Sequence, residues 1–267
     1  MQFHRTNCTC GTFVGYPNVR RAEEMRADLN RNYAAAQASA KRRGIEGKIR
    51  TLEQLLAAST ATINIRPNLL YNIAAGQNYM SYYRTYEDHL REIAERTYHE
   101  HRSAVDSKVH PGYGREIINA ALSPDGRGLT NYGDITIQLK NISIEDRASV
   151  MRENAFHFYE RYDLGKRDAK EDPGWRAIWA DRARLGVADL EPTITPATAE
   201  RDLPQEILYI GATRHEDQYM EVHIYGDLSW ETFAQVTLEK ALTVPKERSD
   251  WDFLRQRFTA RGIVVKG

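Results

Sequence analysis

The hydrophobic spacing of this chain changes near residue 60, from a repeat typical of helices to a repeat typical of strands. After that point "TATINIRP" (60–67) is rich in β-branched residues and ends at a proline, and "DITIQLK" (134–140) alternates apolar and polar residues. A chain ordered in this way places helices before a sheet. The predicted fold class is therefore α+β, with a helical N-terminal region (1–59) and a mainly antiparallel β core in a second domain (60–267).

Three segments are predicted to be mainly helical. The first covers 18–43, where Asn18 can cap the helix and Gly44 can end it. The second covers about 49–59, and the third is the tyrosine-rich segment 71–105, which the turn formers at 110–114 break. Later helices are expected within 166–190 and at about 229–234 and 249–260.

Further strands are predicted in the second half of the chain. They are "NAFHFY" (154–159), "EILYIGA", "YMEVHIYG", "QVTLE" and "GIVVKG". The segment 123–134 contains many turn formers and is predicted to be a loop.

Composition narrows the class of protein. Of the 267 residues 41% are hydrophobic and 28% are charged, which indicates a globular protein with a core. No run of about 18 apolar residues is present, so no membrane association is expected. The N-terminus lacks the apolar stretch of a signal peptide, which favours a cytoplasmic location or delivery into a target cell without a cleaved signal.

The charge is balanced overall but unevenly placed. The formal net charge is +0, with 16 Lys+Arg against 11 Asp+Glu in residues 1–110. This balance differs from that of a dedicated nucleic-acid-binding protein. The only cysteines, Cys8 and Cys10, have a C-x-C spacing that does not match a zinc site even if His4 contributes, so no metal is predicted.

The strand predicted at 219–225 carries an unusual polar row. Tyr219, Glu221, His223 and Tyr225 alternate with apolar residues, so they share one face with a spacing of about 7 Å. Such a row can line a cleft or face solvent. The phosphate-loop, H-E-x-x-H and G-x-S-x-G motifs are absent, which removes several common enzyme classes.

The segment "YMEVHIYGDLSWETFAQVTL" (219–238) resembles the last catalytic segment of ADP-ribosyltransferase-fold bacterial toxins, where a glutamate opens a hydrophobic strand followed by a short helix and another strand. "TINIRPNLL" (62–70) is loosely similar to the first core strand of that family. "LTNYGDITIQLKNISIEDRASVMRENAFHF" (129–158) resembles its middle strands. The resemblance covers about 60–265 and implies a β core of ADP-ribosyltransferase type.

The resemblance implies a toxin or effector that binds NAD and transfers ADP-ribose to a protein or nucleic-acid acceptor, or an NAD glycohydrolase. Glu221 would be catalytic, because a carboxylate stabilises the positive charge that develops on the ribose. His223 could assist the acceptor. The residues implied to bind NAD are Arg66, Tyr71, Tyr132, Arg147, Ser149 and Tyr219.

The sequence departs from the family pattern at two places. "RAS" (147–149) is the nearest match to the Ser-Thr-Ser strand, and Tyr219 stands two residues before Glu221, where enzymes that modify arginine have Gln or Glu. An acceptor other than arginine, or hydrolysis of NAD, becomes more plausible. A cognate immunity protein or antitoxin is a possible partner.

Two alternatives remain open. The chain could be an NAD-independent binding or immunity module that uses the polar row as a partner surface. It could also be a nuclease-like toxin in which His223, Glu221 and Arg147 act on a phosphate by general acid–base catalysis.

Overall fold

A computed structural model describes residues 15–87 and 96–267 of the chain. Its centre is an eight-stranded sheet with the order β10–β9–β3–β1–β2–β8–β4–β5, in which every pair is antiparallel except β9 and β10. The ten described strands are β1 (Thr60–Ile65), β2 (Ile117–Ser123), β3 (Ile135–Leu139), β4 (Ala148–Met151), β5 (Arg176–Ile178), β6 (Leu208–Tyr209), β7 (Gln218–Tyr219), β8 (Glu221–Tyr225), β9 (Phe233–Leu238) and β10 (Val264–Lys266). The short strands β6 and β7 pair with each other outside the large sheet.

Helices surround this sheet. The described α-helices are α1 (Pro17–Glu24), α2 (Arg26–Arg43), α3 (Glu46–Ala58), α4 (Pro67–Ala74), α5 (Tyr82–Glu87), α6 (Arg96–Val109), α7 (Asn141–Ile144), α8 (Ala155–Arg161), α9 (Arg182–Leu190), α10 (Leu203–Ile207) and α11 (Pro245–Thr259). The prediction of helices combined with a large, mostly antiparallel sheet is confirmed. In the described ranges, no helix is long and apolar enough to cross a membrane.

One face of the sheet is apolar and packs against α2, α3 and α9. Its side chains belong to the same buried cluster as the apolar residues of these helices, including Leu52 and Leu56 of α3. The contact between α3 and α9 is close, because a Cβ atom on Gly186 would lie 2.5 Å from the Leu56 methyl carbons. The hydrophobic core is therefore continuous across residues 59 and 60, where the sequence predicted a domain boundary.

The opposite face of the central strands is covered by α6, α8 and the loop 124–134. Val105 and Val109 of α6 form a second buried cluster with Phe158 of α8 and with Met151 of β4. The loop lies against β1, since the backbone amide of Leu129 donates to Asn64 Oδ1. This cover makes the second face a buried surface.

The strand predicted at 154–159 is wrong, because the chain forms α8 there. Asn154 Oδ1 accepts a hydrogen bond from the Phe156 amide at 2.7 Å and caps the helix. The cap and the tertiary contacts of Phe158 with Trp175, whose ring centroids are 4.5 Å apart, outweigh the strand propensity of the aromatic residues.

The helix predicted around "GWRAIWADRARL" (174–185) is wrong in its first part. Residues Arg176–Ile178 form β5 and pair with β4, and the helix begins only at Arg182. The sheet edge supplies hydrogen-bond partners for this segment, which a local pattern does not reveal.

The helix predicted over 18–43 is two helices, α1 and α2, which meet at Met25. Asn18 does not cap it. Its side chain is fully buried, and its Nδ2 atom donates to the carbonyl oxygens of Arg147 and His223, both at 2.9 Å. Asn18 thus ties the N-terminal helix to the sheet.

The third predicted helix, over 71–105, covers parts of α4, α5 and α6, while residues 88–95 lie outside the described ranges. The strand predicted at 219–225 is divided at Met220, whose carbonyl accepts from the Leu122 amide of β2. The sequence pattern did not predict β2 or β4, which are almost entirely buried and lack clear alternation. Cys8, Cys10 and His4 lie outside the described residues.

Candidate functional site

Polar side chains occupy the covered face of four adjacent strands, β1, β2, β8 and β4. Glu221 and His223 project from β8 on this face, and Asn119 and Ser149 lie directly opposite His223 on its two neighbours. Thr62 of β1 continues the row that contains Glu221. We call the surface formed by these five residues the polar face.

Glu221 is fixed at the centre of the polar face. Glu221 is only 4% exposed, and each of its carboxylate oxygens accepts a hydrogen bond of 2.6 Å. Asn119 Nδ2 donates to Oε1, and the backbone amide of Ala155 donates to Oε2. Burial alone would raise the pKa of Glu221, but His223, the Ala155 amide and the Arg102 guanidinium together lower it. Glu221 is therefore a buried, ionised carboxylate.

His223 lies against a second buried histidine. Its ring centroid is 4.2 Å from that of His110, with the two rings nearly perpendicular. Burial lowers the pKa of both imidazoles, which are neutral at pH 7 as a result. Among the described residues, both ring nitrogens of His223 and Nε2 of His110 have no hydrogen-bond partner. These ring nitrogens therefore make no hydrogen bond within the described part of the protein, although His223 Nε2 faces Glu221 Oε2 at 3.6 Å.

Helix α6 brings further charges toward this cluster. Arg102 Nε lies 3.3 Å from Asp106 Oδ2, and the Tyr83 hydroxyl donates to the same oxygen at 2.8 Å. Burial raises the pKa of Asp106, while the neighbouring Arg102 charge opposes that rise. From the other side, Arg176 Nη2 donates to the Val109 carbonyl at 3.1 Å, and burial lowers its pKa to about 10. Arg102 and Arg176 thus bring two guanidinium groups into the buried cluster that contains the carboxyl groups of Asp106 and Glu221.

Two tyrosines connect the polar face with the protein surface. Tyr219 precedes Glu221 by two residues, is 8% exposed and packs against Tyr132. Asn154 Nδ2 donates to the Tyr219 hydroxyl at 2.6 Å. Burial raises the pKa of Tyr132 to about 12, so both phenols remain protonated. Tyr132 also lines an open cleft of about 660 Å³.

The lining of this cleft contains both cationic and anionic side chains, with the cationic ones in slight excess. Its charged lining residues are Arg66, Asp134, Arg214, Lys240, Lys246, Glu247 and Asp250. The Arg214 guanidinium lies 4.8 Å from the centroid of the Tyr132 ring and donates to the Asn131 carbonyl. We call this surface the basic cleft.

The structure places the predicted NAD-binding residues at different distances from Glu221. Ser149, Tyr219 and Tyr132 lie on or beside the polar face, and His223 is next to Glu221. Arg66 lies in the basic cleft, and the strand register places its Cα roughly 15 Å from that of Glu221. Tyr71 is 45% exposed and stacks on Phe253 of α11, with ring centroids 6.1 Å apart.

The Arg147 guanidinium forms hydrogen bonds with backbone carbonyl oxygens. Its Nε atom donates to the Ser143 carbonyl, and Nη1 donates to the carbonyls of Tyr225 and Asp227, at distances from 2.8 to 3.0 Å. These bonds fasten the turn after β8 to the start of β4. Its role in NAD binding stays a prediction.

The sequence pattern did not indicate that five further residues belong to this site: Asn119, Asp106, Arg102, His110 and Arg176. A signal for three of them was present: Arg102, Asp106 and His110 follow one another at intervals of four residues, which aligns them along one face of α6. Asn119 and Arg176 interrupt short apolar runs, and only the strand pairing reveals that they face the same surface.

No group of three or more His, Cys, Asp and Glu side chains that could hold a metal ion is found in the ranges 15–87 and 96–267. No protein-family model matches the chain, and no curated protein matches its sequence.

Proposed function

We propose that this chain is an NAD-consuming enzyme of ADP-ribosyltransferase type, which cleaves the nicotinamide–ribose bond and transfers ADP-ribose to a macromolecular target. The observation that carries the proposal is the buried, ionised Glu221, held by Asn119 and Ala155 at the centre of a polar sheet face. An ionised carboxylate in a buried position costs free energy unless hydrogen-bond donors compensate for its lost hydration. Buried ionisable groups of this kind are concentrated at functional sites.

The role of Glu221 follows from its charge. NAD supplies the labile nicotinamide–ribose bond and the ADP-ribose group. A carboxylate beside the ribose stabilises the positive charge that develops on the sugar as this bond breaks, and it can accept a hydrogen bond from a ribose hydroxyl. Asn119 on β2 already orients Oε1, so little reorganisation of that oxygen is required, whereas the Ala155 bond to Oε2 depends on the position of α8.

The basic cleft fits the phosphate groups of the dinucleotide. Arg66 is exposed there, and a guanidinium is permanently charged and can contact two phosphate oxygens at once. Tyr132 offers an aromatic ring at the inner wall of the cleft. Toward Glu221, the free polar atoms Ser149 Oγ, Asn119 Oδ1 and the ring nitrogens of His223 can bind hydroxyl or amide groups.

Access to Glu221 requires movement of the cover. With 4% of Glu221 exposed, a ribose can reach its oxygens only after part of the cover moves, and Tyr132, Tyr219 and α8 are parts of that cover. Because the Ala155 amide belongs to α8 and binds Glu221 directly, a shift of α8 would expose the carboxylate. The proposal therefore includes an opening step before binding.

The acceptor class follows from the resemblance alone. In this proposal a protein or nucleic acid accepts the ADP-ribose and His223 assists it, a role supported by its position next to Glu221, with 3.6 Å between Nε2 and Oε2. A role as a toxin or effector with a cognate immunity protein belongs to the same proposal.

Nicotinamide release from NAD tests this function. We expect the wild-type protein to release nicotinamide and Glu221→Gln, which keeps the side-chain shape, to lose at least about a hundredfold in kcat. Glu231→Gln, an exposed carboxylate in the turn before β9, serves as the control and should be unchanged.

Absence of nicotinamide release by the folded wild-type protein would refute the proposal. RNA degradation without NAD that requires His223 would instead support the nuclease alternative. Partner binding that depends on Glu221 without any NAD turnover would support a binding module.

A further inference from the structure

A second pocket lies outside the polar face, between α6, α8 and the segment 164–175. It has a volume of about 140 Å³. Its lining residues are Arg21, Lys108, Val109, Phe158, Leu164, Lys166, Arg167, Ala169, Glu171 and Trp175. We call it the Trp175 pocket. Neither the sequence motifs nor the proposed function involves it.

Positive charge dominates the rim of this pocket. Four of its residues are cationic and only Glu171 is anionic. Arg21 is held in place, because its Nη1 atom donates to the Val109 carbonyl at 2.9 Å and its Nη2 atom lies 3.7 Å from Glu171 Oε1. Lys166 binds Asp163 at the surface, 2.8 Å away. The rim therefore favours an anion, and Glu171 is the charge that an incoming anion must compete with.

Five of the ten residues that line the pocket are apolar or aromatic, and little of their surface is exposed. Trp175 is 2% exposed, and its ring lies beneath the Arg21 guanidinium, 5.1 Å from centroid to Cζ. Phe158 and Leu164 are buried beside it. The Trp175 Nε1–H is buried and has no acceptor among the described residues. An unpaired buried donor costs free energy, which an acceptor atom within reach of it would recover.

Size limits the ligand to one small ring. An apolar cavity of about 150 Å³ holds a benzene molecule. An inorganic anion would contact the cationic rim and leave Trp175 and Phe158 without a ligand contact.

We propose that the Trp175 pocket binds a small organic anion, which has a single ring or short apolar body on Trp175 and Phe158 and a carboxylate or phosphate group among Arg21, Lys108 and Arg167. The apolar body gains from burial, and the charged group gains from charge-assisted hydrogen bonds at the rim. This inference does not depend on the activity of Glu221.

Calorimetric titration of the full chain with benzoate, phenyl phosphate and inorganic phosphate tests the proposal. We expect saturable binding of benzoate or phenyl phosphate at one site with a Kd of about 1 mM or tighter, and much weaker binding of inorganic phosphate.

Two variants locate the site. Arg167→Met removes an exposed rim cation and should weaken binding about fivefold or more, whereas Lys170→Met, an exposed cation of the same segment that does not line the pocket, should leave it unchanged. Glu171→Gln removes the competing carboxylate and should tighten binding about threefold.

Three results would overturn the inference. They are no saturable binding of either organic anion, affinities that do not change in Arg167→Met and Glu171→Gln, and inorganic phosphate binding as tight as that of phenyl phosphate.

Discussion

Glu221 Oε2 lies 3.6 Å from His223 Nε2, two residues away along β8, and both side chains are buried on the same face of the sheet. At neutral pH this pair consists of a carboxylate and a neutral imidazole, because the pKa of each group is lowered. With such a pair, the carboxylate can stabilise positive charge while the neutral imidazole accepts a proton.

Asn119 should contribute to stability through Glu221. Asn119→Ala removes the 2.6 Å hydrogen bond to Oε1 and leaves one oxygen of a buried carboxylate without its donor. We expect the free energy of unfolding to fall by about 2 kcal/mol. Denaturant titration measures this, and Asn141→Ala at the exposed start of α7 should change stability by less than about 0.5 kcal/mol. Equal effects of the two substitutions would contradict this role.

Stability should fall with pH below about 6.5, the usual pKa of histidine. Burial lowers the pKa of His110 and His223 in the folded protein, so between the two pKa values the unfolded chain binds more protons. As the pH falls, each histidine then lowers the free energy of unfolding by about 1.4 kcal/mol per pH unit until its pKa in the folded protein is reached. Stability that depends on Glu221 is lost only at lower pH, below the usual pKa of glutamate, because its folded pKa is lowered.

Chemical denaturation at a series of pH values measures this slope. His110→Gln should reduce it, whereas His215→Gln, at an exposed position, should leave it unchanged. A wild-type stability that is flat between pH 7.5 and 5.5, a range placed around the usual histidine pKa of about 6.5, would show that the histidines are not buried in neutral form.

Arg66 should affect the binding of NAD more than its cleavage. Arg66→Ala removes an exposed cation from the basic cleft, far from Glu221, so KM for NAD should rise about tenfold with little change in kcat. Steady-state kinetics of nicotinamide release provide the measurement. Arg50→Ala, which removes an exposed cation from α3, is the control, and a matching rise in KM for both variants would argue against a specific phosphate contact.

Gly133 should be required for the close approach of the loop 124–134 to β1. A Cβ atom at this position would lie 2.3 Å from the carbonyl carbon and oxygen of Ile65, so Gly133→Ala must displace backbone. We expect a loss of about 1–3 kcal/mol in stability. Gly47→Ala, in α3 with open space around the new methyl group, should instead stabilise by a few tenths of a kcal/mol or more. Thermal unfolding of both variants distinguishes them by sign.

The sequence predicted the polar row of β8 because strand alternation is a local property. It also indicated the strands β1 and β3, whose pattern of β-branched residues continues over several positions. The helix at 155–161 was missed because the cap at Asn154 and the packing of Phe158 decide its conformation, and aromatic residues alone favour a strand.

The neighbours of Glu221 could not be predicted from its own segment. Asn119 is 102 residues away and Ala155 is 66 residues away along the chain, and their contacts depend on strand order and on the position of α8. Asn18 illustrates the same limit: it is a residue type that often caps helices, yet its side-chain amide binds the carbonyl of His223 in β8 and that of Arg147 in the turn before β4.

The most direct test of the central claim is a structure of Glu221→Gln determined with NAD, since this variant preserves the side-chain shape and slows turnover. We expect the nicotinamide-proximal ribose beside residue 221 and the phosphates near Arg66, with Tyr132 and Tyr219 displaced from each other. NAD bound elsewhere, or no NAD bound at saturating concentration with the cover closed over residue 221, would contradict the account.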